Sequence, residues 1–98
     1  MAEIELSAAA LADLEEIYEY GAASFGIESA DLYSRGFGTV FDRLRRYPRS
    51  GATRPELGDG VRSILYRQHR LYYIIQDAGV LVLRVIHGAR DVQDLDFL

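Results

Sequence analysis

Val61–His87, VRSILYRQHRLYYIIQDAGVLVLRVIH, decides the fold. It contains three runs rich in Val, Ile, Leu and Tyr: Val61–Tyr66, Leu71–Gln76 and Val80–His87. Branched and aromatic side chains suit a pleated, half-buried surface, and runs of this length read as strands. Asp77-Ala78-Gly79 is a hairpin signal between the last two runs. The preceding turn falls on Arg67-Gln68, where a Gly would be expected, so its geometry is not marked by composition. Simple alternation turns Ile64, Leu71, Tyr73, Leu81, Leu83 and Val85 toward the core.

Upstream the period changes. Arg49–Gly60 reads as a loop punctuated by Gly51, Pro55, Gly58 and Gly60, with Pro55 stiffening it and Leu57 plugging the core. Before it, Ala30, Tyr33, Phe37, Val40, Phe41, Leu44 and Tyr47 recur at spacings of three and four, which predicts a helix over about Glu28–Tyr47 stopped by Pro48. Another helix is predicted from Ala8 to about Ser24. Ser7 is its N-cap, Gly26 its C-terminal cap, and Leu11, Leu14, Ile17, Tyr18 and Phe25 its apolar stripe. Asp13, Glu16 and Glu19 form its expected solvated face, and Tyr18, Tyr20, Tyr33 and Tyr47 are expected at the rim of the core. Ala2–Leu6 alternates Ile4 and Leu6 with Glu3 and Glu5, as a half-buried strand does. Ala89–Leu98 reads as a short tail, either a helical turn or extended. The fold class is therefore α+β: an N-terminal strand, an antiparallel two-helix hairpin, then a three-stranded antiparallel meander. The helices cover one face of the sheet and the other face stays partly open.

Ninety-eight residues make one domain, 1–98, and 49% hydrophobic residues give it a core, which excludes a disordered chain. There is no Cys, so disulfides, thiolate metal sites and a Cys nucleophile are excluded. Glu3 and Glu5 without a basic residue do not make a secretory leader, no apolar run approaches the roughly 20 residues of a membrane span, and a cytoplasmic location is expected. The net charge is −4, but it is unevenly placed. Residues 1–33 carry only acids, the tail from Asp91 adds three more, and all eleven bases lie between Arg35 and Arg90. Every base is Arg. Guanidinium forks grip carboxylates and stack on aromatics, so the basic middle suits an acidic protein partner. The negative total disfavours a protein that relies on the nucleic-acid backbone.

Candidate partner-contacting residues are Arg62, Tyr66, Arg67, Arg70, Arg84, His87 and Arg90. Parity along the strands puts the arginines on more than one face. His87 and Arg90, with His69 and Tyr73, are also residue types that a ribonuclease uses as general acid and phosphate clamp. Against that stand the absence of Lys and the acidic tail. Two histidines without a neighbouring acidic motif do not make a metal site, and no phosphate-binding Gly loop is present, so no cofactor is expected.

Several local runs, in order, resemble the ParE toxins of the RelE/ParE toxin–antitoxin superfamily. They are Leu6-Ser7 followed by Asp13-Leu14-Glu15-Glu16-Ile17; Ala30-Asp31-Leu32-Tyr33; Arg54-Pro55-Glu56-Leu57-Gly58 with Val61-Arg62-Ser63; His69-Arg70-Leu71-Tyr72-Tyr73; and Arg84-Val85-Ile86-His87-Gly88-Ala89-Arg90-Asp91. The resemblance covers nearly the whole chain. It implies a toxin encoded beside an antitoxin. The ParE branch implies a poison of DNA gyrase that works by protein binding, has no active site of its own, and is neutralised by a ParD-like antitoxin. The RelE branch implies the rival activity, a ribosome-dependent mRNA endonuclease on the same fold.

Overall fold

Ser7 ends one element and starts the next. Its Oγ accepts from the Ala10 N–H at 3.0 Å, capping a helix, and donates to the Leu83 carbonyl at 2.8 Å, tying that helix start to a strand 76 residues away. The computed structural model describes residues 1–98 and runs β1 (Glu3–Leu6), α1 (Ala8–Phe25), α2 (Ile27–Arg46), β2 (Ala52–Thr53), β3 (Arg62–Tyr66), β4 (His69–Gln76) and β5 (Gly79–His87). Short 3₁₀ turns, Pro48–Ser50 and Pro55–Leu57, flank β2. Gly26, at φ 94°, is the joint of the helix hairpin, a conformation that costs glycine nothing.

The α+β class, the helix hairpin and the β3–β4–β5 meander are as the sequence predicts. The sheet has five strands in the order β1-β5-β4-β3-β2, more than expected, and it is mixed because β1 pairs parallel to β5. The region read wholly as a loop contributes β2 to the sheet edge, antiparallel to β3. Two residues carry no strand signature; pairing to the edge of β3 makes the strand.

Alternation fails at one place. Tyr72 pairs with Arg84 and Tyr73 with Val82, so Leu83 is an extra residue in β5, a bulge that shifts parity. Val80 and Val82 before it, and Val85 after it, pack with Ile64, Leu71 and Tyr73 against Ala10, Phe37, Val40 and Leu44 of the helices. Leu83 and Leu81, expected in this core, lie on the opposite side with Tyr72 and Ile86. That side is not left as open as expected. Val92 and Phe97 of the tail, together with Val61 and Leu57, close a second cluster over it, with the Phe97 ring 4.8 Å from Tyr72. Each helix also departs from its stripe at the ends. Leu11, Phe25 and Tyr47 are exposed, and α1 uses the small Ala10 with Leu14 and Ile17 instead.

The turns at both hairpin tips are two residues long, with Tyr66 opposite His69 and Gln76 opposite Gly79. In each the first turn residue, Arg67 (φ 51°) or Asp77 (φ 49°), takes the left-handed conformation. The unmarked turn therefore forms, with its strain on Arg67 rather than on Gln68.

Candidate functional site

The two ends of the helix layer meet the sheet differently. At one end Tyr73, fully buried, donates its hydroxyl proton to the Pro48 carbonyl at 2.7 Å and accepts from the Gly51 N–H at 2.9 Å. Arg62 donates to the Arg49 and Gly51 carbonyls and locks the same loop. At the other end, the C-terminal half of α1 and the N-terminal half of α2 part from the β3–β4 turn and the end of β5, leaving a groove of about 540 Å³.

Its floor holds a linked set of side chains. Gly36 lacks a Cβ, which would overlap the Tyr66 hydroxyl, so Tyr66 can lie against Phe37 and donate to the Tyr33 carbonyl at 3.0 Å. Tyr33 is thereby placed with its hydroxyl 2.6 Å from His69 Nδ1. Burial pushes the Tyr33 hydroxyl above its ordinary range, partly offset by the nearby Gln68 backbone. Which of the two donates in this contact is set by the His69 tautomer. Burial, and then the nearby His87, hold His69 below the usual imidazole range. The His87 ring stands edge-on to His69, with centroids 5.4 Å apart, and its Nδ1 accepts from the Ala89 N–H. Arg90 completes this side. The opposite wall is apolar: Ile17, Tyr20 and Phe25, the last two paired edge to face and about 70% exposed.

The sequence-predicted site residues separate accordingly. His87 and Arg90 line the groove, Tyr66 supports it from below, and Arg67 sits at the adjoining turn over the Tyr66 ring. Arg62 holds the loop at the far end. Arg70 pairs across the sheet with Leu65 and Ile86, away from the groove, and has no hydrogen-bond partner. Arg84 is engaged within the chain, its guanidinium binding both Asp13 oxygens at 2.7 and 2.9 Å. This corrects the reading of Asp13 as a solvated helix residue. It also accepts from the Val85 N–H and so caps the edge of β5 where β1 has ended. The sequence reading assigned Tyr33, Tyr20 and Phe25 to the core or its rim and gave Gln68 no part. Only their helical and turn positions, read in three dimensions, bring them to one place.

No cluster of His, Cys, Asp or Glu has the makings of a metal site. No helix is long and apolar enough to cross a membrane. Residues 4–92 match the family described as ParE toxin of type II toxin-antitoxin system, parDE. This chain belongs to the ParE toxin family. Among its relatives, Toxin ParE1 of Mycobacterium tuberculosis is 35% identical over 88 residues, covering 89% of this chain and 90% of that protein. Toxin ParE1 of Caulobacter vibrioides is 29% identical over 93 residues, covering 95% and 96% respectively. A solved structure described as the chromosomal ParDE TA system from P. aeruginosa is similar in fold, with a TM-score of 0.76 and 25% identity over 89% of this chain and 96% of that one. In this ParE toxin one end of the helix layer is closed by hydrogen bonds to the Pro48–Gly51 loop and the other end leaves the groove open.

Proposed function

We propose that this chain is the toxin of a type II toxin–antitoxin pair, that it acts in the cytoplasm by binding DNA gyrase, and that a ParD-like antitoxin neutralises it. The observation that carries the reading is the family match over residues 4–92, nearly the whole chain. The groove supports a binding rather than a catalytic role. Each imidazole has one nitrogen committed, to Tyr33 in one case and to the Ala89 N–H in the other, and there is no Lys to act as acid or base. Of the candidate contact residues, Tyr66, Arg67, His87 and Arg90 cluster at the groove, and Arg70 offers a free guanidinium on the other face; these are the contacts we assign to partners. Arg62 and Arg84 contribute by holding the surface in shape.

The second reading, a ribosome-dependent mRNA endonuclease, is favoured by one observation only: two imidazoles, a tyrosine and an arginine share one groove. Inducing the chain alone and measuring both DNA-damage signalling and cleavage of ribosome-bound mRNA separates the two. Gyrase-type arrest is accompanied by DNA-damage signalling and leaves ribosome-bound mRNA intact in the parent chain. Codon-specific cleavage by the parent that falls roughly 10²–10⁴-fold in His87→Gln overturns the proposal in favour of the endonuclease.

A further inference from the structure

We propose that the groove floor is a carboxylate-binding subsite: the Nε2–H groups of His69 and His87, with Arg90, take the side-chain carboxylate of an Asp or Glu in a partner segment whose neighbouring apolar residue lies on Tyr20 and Phe25. The proposal deepens the protein-binding reading above, on which it rests for the source of the segment but not for the chemistry.

The donor arrangement follows from the hydrogen bonds. Tyr33 occupies Nδ1 of His69 and the Ala89 N–H occupies Nδ1 of His87. The Ala89 N–H fixes the proton of neutral His87 on Nε2, and for His69 we take the matching tautomer, in which Tyr33 donates to Nδ1 and Nε2–H is left for a ligand. Both rings line the same groove beside Arg90. Two N–H donors and a guanidinium make an acceptor-only ligand the complement of this floor, and a carboxylate is the acceptor-only group that protein partners carry.

Phosphate is the competing anion, and the walls argue against it. Glu16 lines the groove and makes no salt bridge, although Arg84 is near enough to feel its charge, whereas Asp13, also on α1, is bridged to Arg84. An unbridged carboxylate beside the site disfavours a doubly charged phosphate monoester more than a singly charged carboxylate; a phosphodiester has the same single charge, and against it the apolar wall discriminates. Beside the donors lie exposed aromatic rings that would otherwise rest in water. A peptide with an acid next to a bulky apolar residue covers both halves of the groove at once, which a sugar–phosphate backbone does not.

Binding should carry a proton with it. The charged and titratable groups around His69 are Asp13 and Glu16 from α1, Tyr33 from α2, Tyr66 from β3, Arg67 at the turn, His87 at the end of β5, and Arg90 beyond it. In the free protein burial and His87 keep His69 neutral. A bound carboxylate supplies the missing counter-charge and favours the imidazolium, whose Nδ1–H can donate to the Tyr33 oxygen once that hydroxyl turns away. Affinity for the carboxylate therefore rises as pH falls below neutrality.

Hydrocinnamate, a phenyl ring joined to a carboxylate, is a probe of both halves. Titrated into the full chain and followed by the imidazole proton and nitrogen resonances, it should shift His69 and His87 saturably and raise the titration midpoint of His69. Binding should weaken severalfold from about pH 6 to about pH 8. His69→Gln and His87→Gln should each weaken it roughly tenfold or more, the loss of one charge-assisted hydrogen bond. Tyr33→Phe, which keeps the ring but frees Nδ1, should weaken it less and flatten the pH dependence. Hydrocinnamamide tests the apolar wall alone and phenyl phosphate tests the phosphate alternative; both should bind more weakly than hydrocinnamate. The proposal fails if hydrocinnamate gives no saturable shift, if its affinity is independent of pH, if phenyl phosphate binds more tightly, or if the exposed His87→Gln variant binds unchanged. None of these outcomes touches gyrase or growth, so failure here leaves the broader reading to its own test.

Discussion

Tyr73 on β4 and Tyr33 on α2 are both hydrogen-bonded tyrosines between the helices and the sheet, yet they serve opposite ends of the molecule. Tyr73 is sealed, its hydroxyl shared between a carbonyl and an N–H of one short loop. Tyr33 is half-buried and passes its hydrogen bond to an imidazole that faces a groove. A polar group whose bonds end in the backbone only stabilises. One whose bonds end in a titratable side chain at a cavity is also poised to respond to a ligand. The contrast can be broken at either end.

The largest effect is expected at the sealed end. Tyr73→Ala removes a fully buried ring and leaves the Pro48 carbonyl and Gly51 N–H without their partner, so chemical denaturation should show a loss of about 3–5 kcal/mol. Next comes Gly36→Ala. Its methyl must displace the Tyr66 hydroxyl, at a cost of about 1–3 kcal/mol, and the His69 resonances should move because Tyr33 loses its support. Asp13→Asn should cost about 1–3 kcal/mol, since Arg84 keeps only a neutral acceptor. Arg84→Glu would set a carboxylate against Asp13, so weaker partner binding by that variant would report misfolding rather than a lost contact. Arg70→Glu carries no such penalty and is the cleaner test of an arginine contact.

A smaller effect is expected with pH. Because His69 is held below about 6.5, its value in an unfolded chain, the folded state binds fewer protons than the unfolded one in the window just below that pH. The contribution of His69 to stability is complete above about pH 6.5 and is lost as pH falls toward its folded value. His69→Gln should therefore flatten the acid side of a stability–pH curve. The smallest effect on folding belongs to the groove wall. Phe25→Ser should change stability by no more than about 0.5 kcal/mol, because the ring is exposed, yet it should weaken partner binding. Equal losses in both measurements would remove the distinction between the two ends.

What the sequence made legible were features signalled within a few residues. Ser7 as a cap, Gly26 as a joint, Pro48 as a stop and the meander with its Asp77 turn are all local, and each is where it was expected. The bulge at Leu83 was not legible. Val80–Ile86 is apolar at every position but Arg84, so nothing in composition marks where parity changes. Nor were partners set by the fold alone: Asp13 with Arg84 is 71 positions apart and Tyr33 with His69 is 36 apart. Half of the candidate site, His87 and Arg90, could be read from residue type. The other half, Tyr33 and the Tyr20–Phe25 wall, could not, because an aromatic residue at helical spacing reads as core whether or not the sheet extends far enough to cover it.

The parallel pairing of β1 with β5 also sets an order of events. Glu3–Leu6 is synthesised well before its partner, Gly79–Val82. The helix hairpin can form from neighbouring residues alone, but its apolar side has no sheet to rest on until the final hairpin emerges. A nascent chain cut short anywhere before β5 lacks both that sheet and the floor of the groove. The surface that would meet a partner thus comes into being only once β5 has been made, so copies cut short before it lack that surface.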